Sequence, residues 1–114
     1  MEGIIWYKTR QKGLIRLDKL INDYAKINIG ILSIRNHMSE IYVRFLNDDI
    51  WRVVSATCNS RGKASNIALI DIDIEQDIID KIIMPTLKMQ PYRAYNFYNY
   101  NLELEESDKN GIYG

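Results

Sequence analysis

The residues best equipped for chemistry lie in one polar stretch, Asn59-Ser60-Arg61-Gly62-Lys63-Ala64-Ser65-Asn66. Gly62 lets backbone approach a ligand closely. Arg61 and Lys63 offer charge-assisted donors to phosphate oxygens, and Asn59 and Asn66 can read hydroxyls or base edges. The same composition also describes a plain solvated loop. Arg10, Lys12 and Arg16 supply a second basic wall if the fold brings them near. A dense Tyr/Asn stretch runs from Tyr92 to Tyr100. Rings such as Tyr95 and Tyr98 can stack on bases, or they can complete a core or a contact between copies. The ligand-binding candidates are therefore Arg61, Gly62, Lys63, Asn59, Asn66, Arg10, Tyr95 and Tyr98, and the matching ligand is phosphorylated and nucleotide-like.

Catalytic constellations are harder to assemble. His37 is the one histidine; it falls in a turn beside Asn36 and Ser39, with no nucleophile and orienting carboxylate specified around it. Cys58 is the one cysteine, which excludes an intramolecular disulfide and a zinc-cysteine cluster. Arg61 and Lys63 can lower its pKa if they lie close; otherwise it is a small semi-buried side chain. Asp71, Asp73, Glu75 and Asp77 gather at a strand-to-helix junction. Carboxylates there can bind Mg²⁺ or Ca²⁺, or simply complement a helix dipole. No metal site is assigned, and Asp71 and Asp73 are the residues that come nearest to one. No cofactor is expected.

Patterning defines the elements that must position these residues. Ile4-Ile5-Trp6-Tyr7 reads as a strand, and Thr9-Arg10-Gln11-Lys12 before Gly13 as a polar turn. Leu14, Leu17, Leu20, Ile21 and Tyr24 recur at helical spacing and predict an amphipathic helix over about 15–27. Ile31-Leu32-Ser33-Ile34-Arg35 reads as a strand after the break at Gly30. Ile41, Val43 and Phe45 alternate with Tyr42 and Arg44, Asn47-Asp48-Asp49 has hairpin-turn chemistry, and residues 50–56 return. Ile67-Ala68-Leu69-Ile70 is apolar throughout, as in a strand covered on both faces. Asp73 with Gln76 three residues later makes a capping-box pattern for a helix striped by Ile78, Ile79, Ile82 and Ile83 and limited by Pro85. A last strand near 95–104 follows from the period of Tyr98, Tyr100, Leu102 and Leu104. The predicted fold is α+β: a mainly antiparallel sheet of about five strands with two helices packed on it. It forms one domain over 1–104, with a mobile acidic tail over 105–114.

At 114 residues, 46% of them hydrophobic and 26% charged, the chain suits one globular domain and not a disordered one. Fifteen basic and fifteen acidic residues leave no net charge to attract a polyanion, so nucleic acid is not an expected partner. The balance is uneven along the chain. Residues 1–63 hold 11 Lys/Arg against 6 Asp/Glu, and residues 64–114 hold 4 against 9. Such halves attract within a fold or across a homodimer, and can leave one basic face open; a homo-oligomer is expected. No secretory leader is legible at the start, and no run approaches the roughly 18 apolar residues of a membrane span, so a cytoplasmic location and no membrane partner are expected. Nineteen isoleucines and ten asparagines match the codon bias of an AT-rich genome, that of a low-GC bacterium or its phage.

The segment from Glu40 to Met89 resembles the Walker B region of phage large terminase subunits and related P-loop ATPases. The resemblance rests on Ile41-Tyr42-Val43-Arg44-Phe45, the turn at Asn47-Asp48-Asp49, Arg61-Gly62, Asn66-Ile67-Ala68-Leu69-Ile70-Asp71, and Ile83-Met84-Pro85-Thr86-Leu87, in that order. It covers less than half of the chain and implies that Asp71 stands where the family's magnesium-holding carboxylate stands. The next position, the catalytic glutamate of that family, is Ile72, which cannot accept a proton. Gly62-Lys63 is followed by Ala64 where the metal-binding Ser or Thr of a Walker A loop belongs, and no glycine lies five residues before Gly62. The departures argue against ATP hydrolysis.

These readings converge on a non-enzymatic, phage- or prophage-type protein that sequesters a phosphorylated nucleotide-like ligand, in the manner of small anti-defence sponges. Two others stay open: a protein-binding inhibitor or adaptor acting on a host defence or nucleic-acid enzyme, and a terminase-like accessory subunit that would need Mg²⁺ at Asp71 and Asp73.

Overall fold

Ile4, Ile5, Trp6 and Tyr7 place apolar side chains on both faces of one strand, so that strand is stable only with a layer packed on each side. The computed structural model, which describes residues 1–37, 40–57, 64–88 and 96–102, puts it in the middle of the sheet. β1 (Glu2–Tyr7) is flanked by β4 (Ile50–Ser55) and β5 (Ile67–Asp71), both parallel to it. β2 (Ile31–Asn36) and β3 (Glu40–Phe45) extend the sheet beyond β4 as an antiparallel meander, and β6 (Phe97–Tyr100) closes the other edge parallel to β5. The order is β2-β3-β4-β1-β5-β6.

The expectation of a mainly antiparallel, roughly five-stranded sheet is thus corrected: six described strands form a mixed sheet with three parallel and two antiparallel pairings. Hairpin chemistry fixes only neighbours in sequence, and it did so at Leu46–Asp49, where Asp48 takes a positive φ of 70°. The parallel pairings depend on crossovers, which carry no local signal.

α1 (Arg10–Lys26) covers one face. It starts earlier than periodicity predicts, and Thr9–Lys12, expected as a turn, forms its N-cap and first turn. Gly13 is there for closeness: a Cβ would lie 2.5 Å from Cδ2 of Tyr7. The opposite face is covered by α2 (Gln76–Ile78), which runs on through a π-helical turn (Ile79–Ile83) and a 3-10 turn (Met84–Thr86) containing Pro85. The capping box at Asp73 is not made. Glu75 is the N-cap residue, because the Asp73 carboxylate pairs with Lys12 and the Gln76 amide donates to Asp80 Oδ1 at 2.9 Å.

Period two in β1 divides its side chains between two cores. Ile5 and Tyr7 join Leu17, Leu20, Val43, Phe45 and Trp51 under α1. Ile4 and Trp6 join Val54, Ile70, Ile74, Ile82 and Ile83 under the α2 layer. Among the described residues no helix is long and apolar enough to cross a membrane.

Candidate functional site

In sheets with parallel strands, ligands favour the crevice at the carboxyl ends, beside the point where successive connections leave in opposite directions. Here that point is the end of β1. The chain leaves it through α1 toward β2–β4, while β5 lies on β1's other side. Four cations follow within nine residues: Lys8, Arg10, Lys12 and Arg16. The first turn of α1 contains no acidic residue, and Thr9 makes no side-chain cap.

The turn after β5 engages two of these cations. Lys8 Nζ lies 2.6 Å from Glu75 Oε1, and Lys12 Nζ is paired with Asp73 Oδ2. The hydrogen bond and charge of Glu75 raise the Lys8 pKa, and Lys8 lowers that of Glu75. The Lys12 hydrogen bond holds Asp73 below the usual carboxylate range. Arg10 Nη2 donates to the neutral amide oxygen of Asn36, 3.2 Å away at the end of β2.

Arg16 is placed differently. Its Cζ lies 5.9 Å from the centroid of the Tyr100 ring, within cation–π reach. Its Nε and Nη1 are buried and meet no hydrogen-bond acceptor among the described residues. Guanidinium N–H groups withdrawn from water without an acceptor are costly, and a planar fork of this kind suits a bidentate oxyanion. Tyr100 beneath it is fixed by its own hydroxyl, which donates to the Trp6 carbonyl oxygen at 2.9 Å. Burial, helped by the nearby Asp71 carboxylate, raises the phenol's pKa and keeps that proton in place against the opposing effect of Arg16. Tyr98, two residues back on β6, pairs with Leu69, whose side chain lies in the core under α1. Its ring therefore shares the face of Tyr100 and Arg16, and it is 57% exposed.

The sequence candidates divide accordingly. Asn59, Arg61, Gly62, Lys63 and Tyr95, like Cys58 and the 105–114 tail, lie outside the described residues. The segment carrying Arg61 does leave from the carboxyl end of β4, where Ala56 N–H donates to the Tyr7 carbonyl oxygen at 3.1 Å. Asn66 is at the other end of β1: its Oδ1 accepts from Glu2 N–H at 2.9 Å and its own N–H donates to Glu2 O at 2.7 Å. It clasps strand ends and does not meet Arg10, so the structure does not gather the described candidates Arg10, Asn66 and Tyr98 into one site. Arg16 and Tyr100 take the place that spacing alone gave to Arg10. The signal was present in part, since Arg16 borders the Leu17–Leu20 stripe on a helical projection and Tyr100 continues the period of Tyr98.

Asp71, the metal-holding position of the terminase resemblance, ends β5 and is almost fully buried. Its oxygens accept from the backbone N–H of Asp73 at 3.1 Å and, more distantly, of Lys8 at 3.4 Å. Ile72 beside it is exposed. Among the described residues no three His, Cys, Asp or Glu side chains converge on a metal position. On the opposite face a half-open groove of about 260 Å³ runs between the π turn and β6, floored by Ile70 and Ile79 and edged by Phe97, Asn99 and Asp80. Comparisons with protein-family models, curated proteins and solved structures found no match for the chain.

Proposed function

We propose that this protein binds a phosphorylated nucleotide-like ligand without transforming it, on the flank of α1 that faces β6, and that it serves as a phage-type sponge for such molecules. The observation that carries the reading is Arg16: a guanidinium with two buried nitrogens that meet no acceptor among the described residues, set over the Tyr100 ring on the sheet face that also carries the exposed Tyr98. A phosphate accepting from Arg16 in this partly dry setting gains more than it would in water. A base stacked on Tyr98 adds the sequence-tolerant attraction of one aromatic face for another.

Differential scanning fluorimetry against cyclic and linear nucleotides tests this reading. At about 100-fold excess over Kd, a ligand specific to the native state adds roughly 2.7 kcal/mol, a clear rise in melting temperature. At least one nucleotide should produce it in the parent protein. Arg16→Ala should abolish the rise, Arg16→Lys should weaken it, and Tyr98→Ala should reduce it while leaving the ligand-free melting temperature nearly unchanged. A flat response across the panel sinks the proposal.

A further inference from the structure

Among the described residues β2 is the outermost strand at its end of the sheet, and it is unusually apolar for an edge. Leu14, Ile27, Ile31, Leu32, Ile34 and Leu46 are between 37% and 64% exposed. All sit on β2, on the adjoining β3–β4 turn or on α1. Their exposed areas sum to on the order of 500 Å², and those on β2 and the β3–β4 turn lie along this edge, where apolar exposure marks an interaction site. Ile34 pairs with Val43 and Ile31 with Phe45. Val43 and Phe45 are buried in the core under α1, so Ile34 and Ile31 continue that core's face past the point where α1 covers it. Edge strands are normally blunted by Lys, Pro or inward charge. β2 contains one charge, Arg35, and no proline. Its one irregularity, the register shift between Ile31 and Ser33, leaves a leucine as the extra residue.

The backbone at this edge is open in a defined phase. His37 N–H donates to Glu40 O at 2.9 Å, and Glu40 N–H to His37 O at 3.4 Å. An antiparallel ladder alternates bonded and non-bonded pairs. Stepping back by two, Arg35 and Ser33 direct their backbone groups to β3, while Ile34 and Asn36 direct theirs away from the sheet.

We infer that the β2 edge is the contact surface of a symmetric homodimer, in which β2 of two copies pair antiparallel about a two-fold axis at Ile34 to form a continuous twelve-stranded sheet. A second copy fits where an arbitrary strand would not. The two-fold sets Ile34 against the partner's Ile34 on the α1 face, and the outward N–H and C=O of Ile34 meet those of the same residue. Arg35 falls opposite the partner's Ser33, so no like charges face each other directly. The exposed apolar side chains of β2 and Leu46 lie on the surface such a pairing would bury, and a standard interface buries roughly 800 Å² on each partner, to which the backbone pairs and neighbouring polar rim also contribute. Closed two-fold pairing also leaves no free β2 edge to propagate aggregation.

Size-exclusion chromatography with light scattering on the full chain tests the inference, at about 100 µM for an interface of micromolar Kd or tighter. The parent should run at twice the chain mass. Ile34→Lys should run as a monomer with a circular-dichroism spectrum like the parent's, since a half-exposed edge residue has little packing to lose. Phe97→Ser, on the opposite edge, should stay dimeric. Hydrogen exchange gives a second reading: the Ile34 and Asn36 amides should be protected at high concentration and become fast on dilution. A monomeric parent overturns the inference, as does an Ile34→Lys variant that stays dimeric. A monomer whose Ile34 and Asn36 amides are nevertheless slow would mean that another part of the same chain covers the edge, and that also overturns it. Nucleotide binding is read separately, so failure here leaves the Arg16 site standing.

Discussion

Asp49 ties three distant parts of the chain to one carboxylate. It accepts from the Tyr24 hydroxyl at 2.7 Å and from the Asn47 side-chain amide at 2.9 Å, and the Met1 ammonium lies 3.5 Å away. The Trp51 indole N–H donates to the Tyr24 oxygen at 3.0 Å and completes the chain. Burial alone would raise the Asp49 pKa, but the two hydrogen bonds and the ammonium outweigh it and hold it below the ordinary carboxylate value. Burial and the Asp49 contact push Tyr24 up to about 12, against the donation from Trp51. The signs follow from linkage. Asp49 contributes stability above its unfolded-state pKa near 4, and that contribution is lost as pH falls through its lower native value. Tyr24 favours the fold while protonated, so its share is complete below about 10 and lost only as pH rises through about 12. Asp49→Asn should therefore lower stability at pH 7 by about 1 kcal/mol, and its melting temperature should fall less steeply than the parent's below pH 4. Equal acid slopes in the two proteins would show that the carboxylate's charge is not what Tyr24 and Met1 respond to. The Asn47-Asp48-Asp49 turn was legible in the sequence; the partner on α1, 25 residues earlier, was not, because no local pattern encodes which tyrosine reaches a turn. The sequence marks Arg16 as part of a basic wall, but its pairing with Tyr100 is not legible for the same reason: the ring is 84 residues away.

β1 is where element-level reading both worked and fell short. The uninterrupted apolar texture of Ile67–Ile70 was read as cover on both faces, and β5 is so covered. Ile4–Tyr7 has the same texture, but as a bare strand signal it is equally compatible with an antiparallel sheet. Taken at its physical value, that texture demands a central position, and the helix that follows at once makes the connection to β2 a crossover between parallel strands. The isoleucine stripe at 78, 79, 82 and 83 located the second helical layer, yet the spacing of pairs four apart could not reveal that the last turn widens to a π turn. A central β1 has a measurable consequence. Ile4 and Ile5 are both fully buried but belong to different cores. Ile4→Ala and Ile5→Ala should each cost about 2–5 kcal/mol in urea denaturation. A half-covered strand would show that penalty at only one of the two positions, and a strong inequality between them would contradict the two-layer arrangement.

At the scale of the molecule, the charge asymmetry between residues 1–63 and 64–114 is expressed where Lys8 and Lys12 meet Glu75 and Asp73 across the β1–β5 boundary. These pairs are exposed and contribute little to holding the halves together. Cohesion comes from the sheet itself, because β1 contributes alternate side chains to both cores. Each core also holds one of the two tryptophans: Trp51 lies under α1 and Trp6 under the α2 layer. If the shared sheet couples the layers, unfolding is two-state. Trp6→Phe leaves a reporter in the α1 core, and Trp51→Phe leaves one in the other. The two variants will differ in stability: Trp6 gives up an indole N–H that has no acceptor among the described residues, whereas Trp51 gives up its bond to Tyr24. The decisive comparison is therefore within each variant, between the fluorescence midpoint and the far-ultraviolet circular-dichroism midpoint in urea. Both pairs should coincide. Separation in Trp51→Phe alone would show the α2 layer opening before the rest, and the sheet would then join the two cores without making them one cooperative unit.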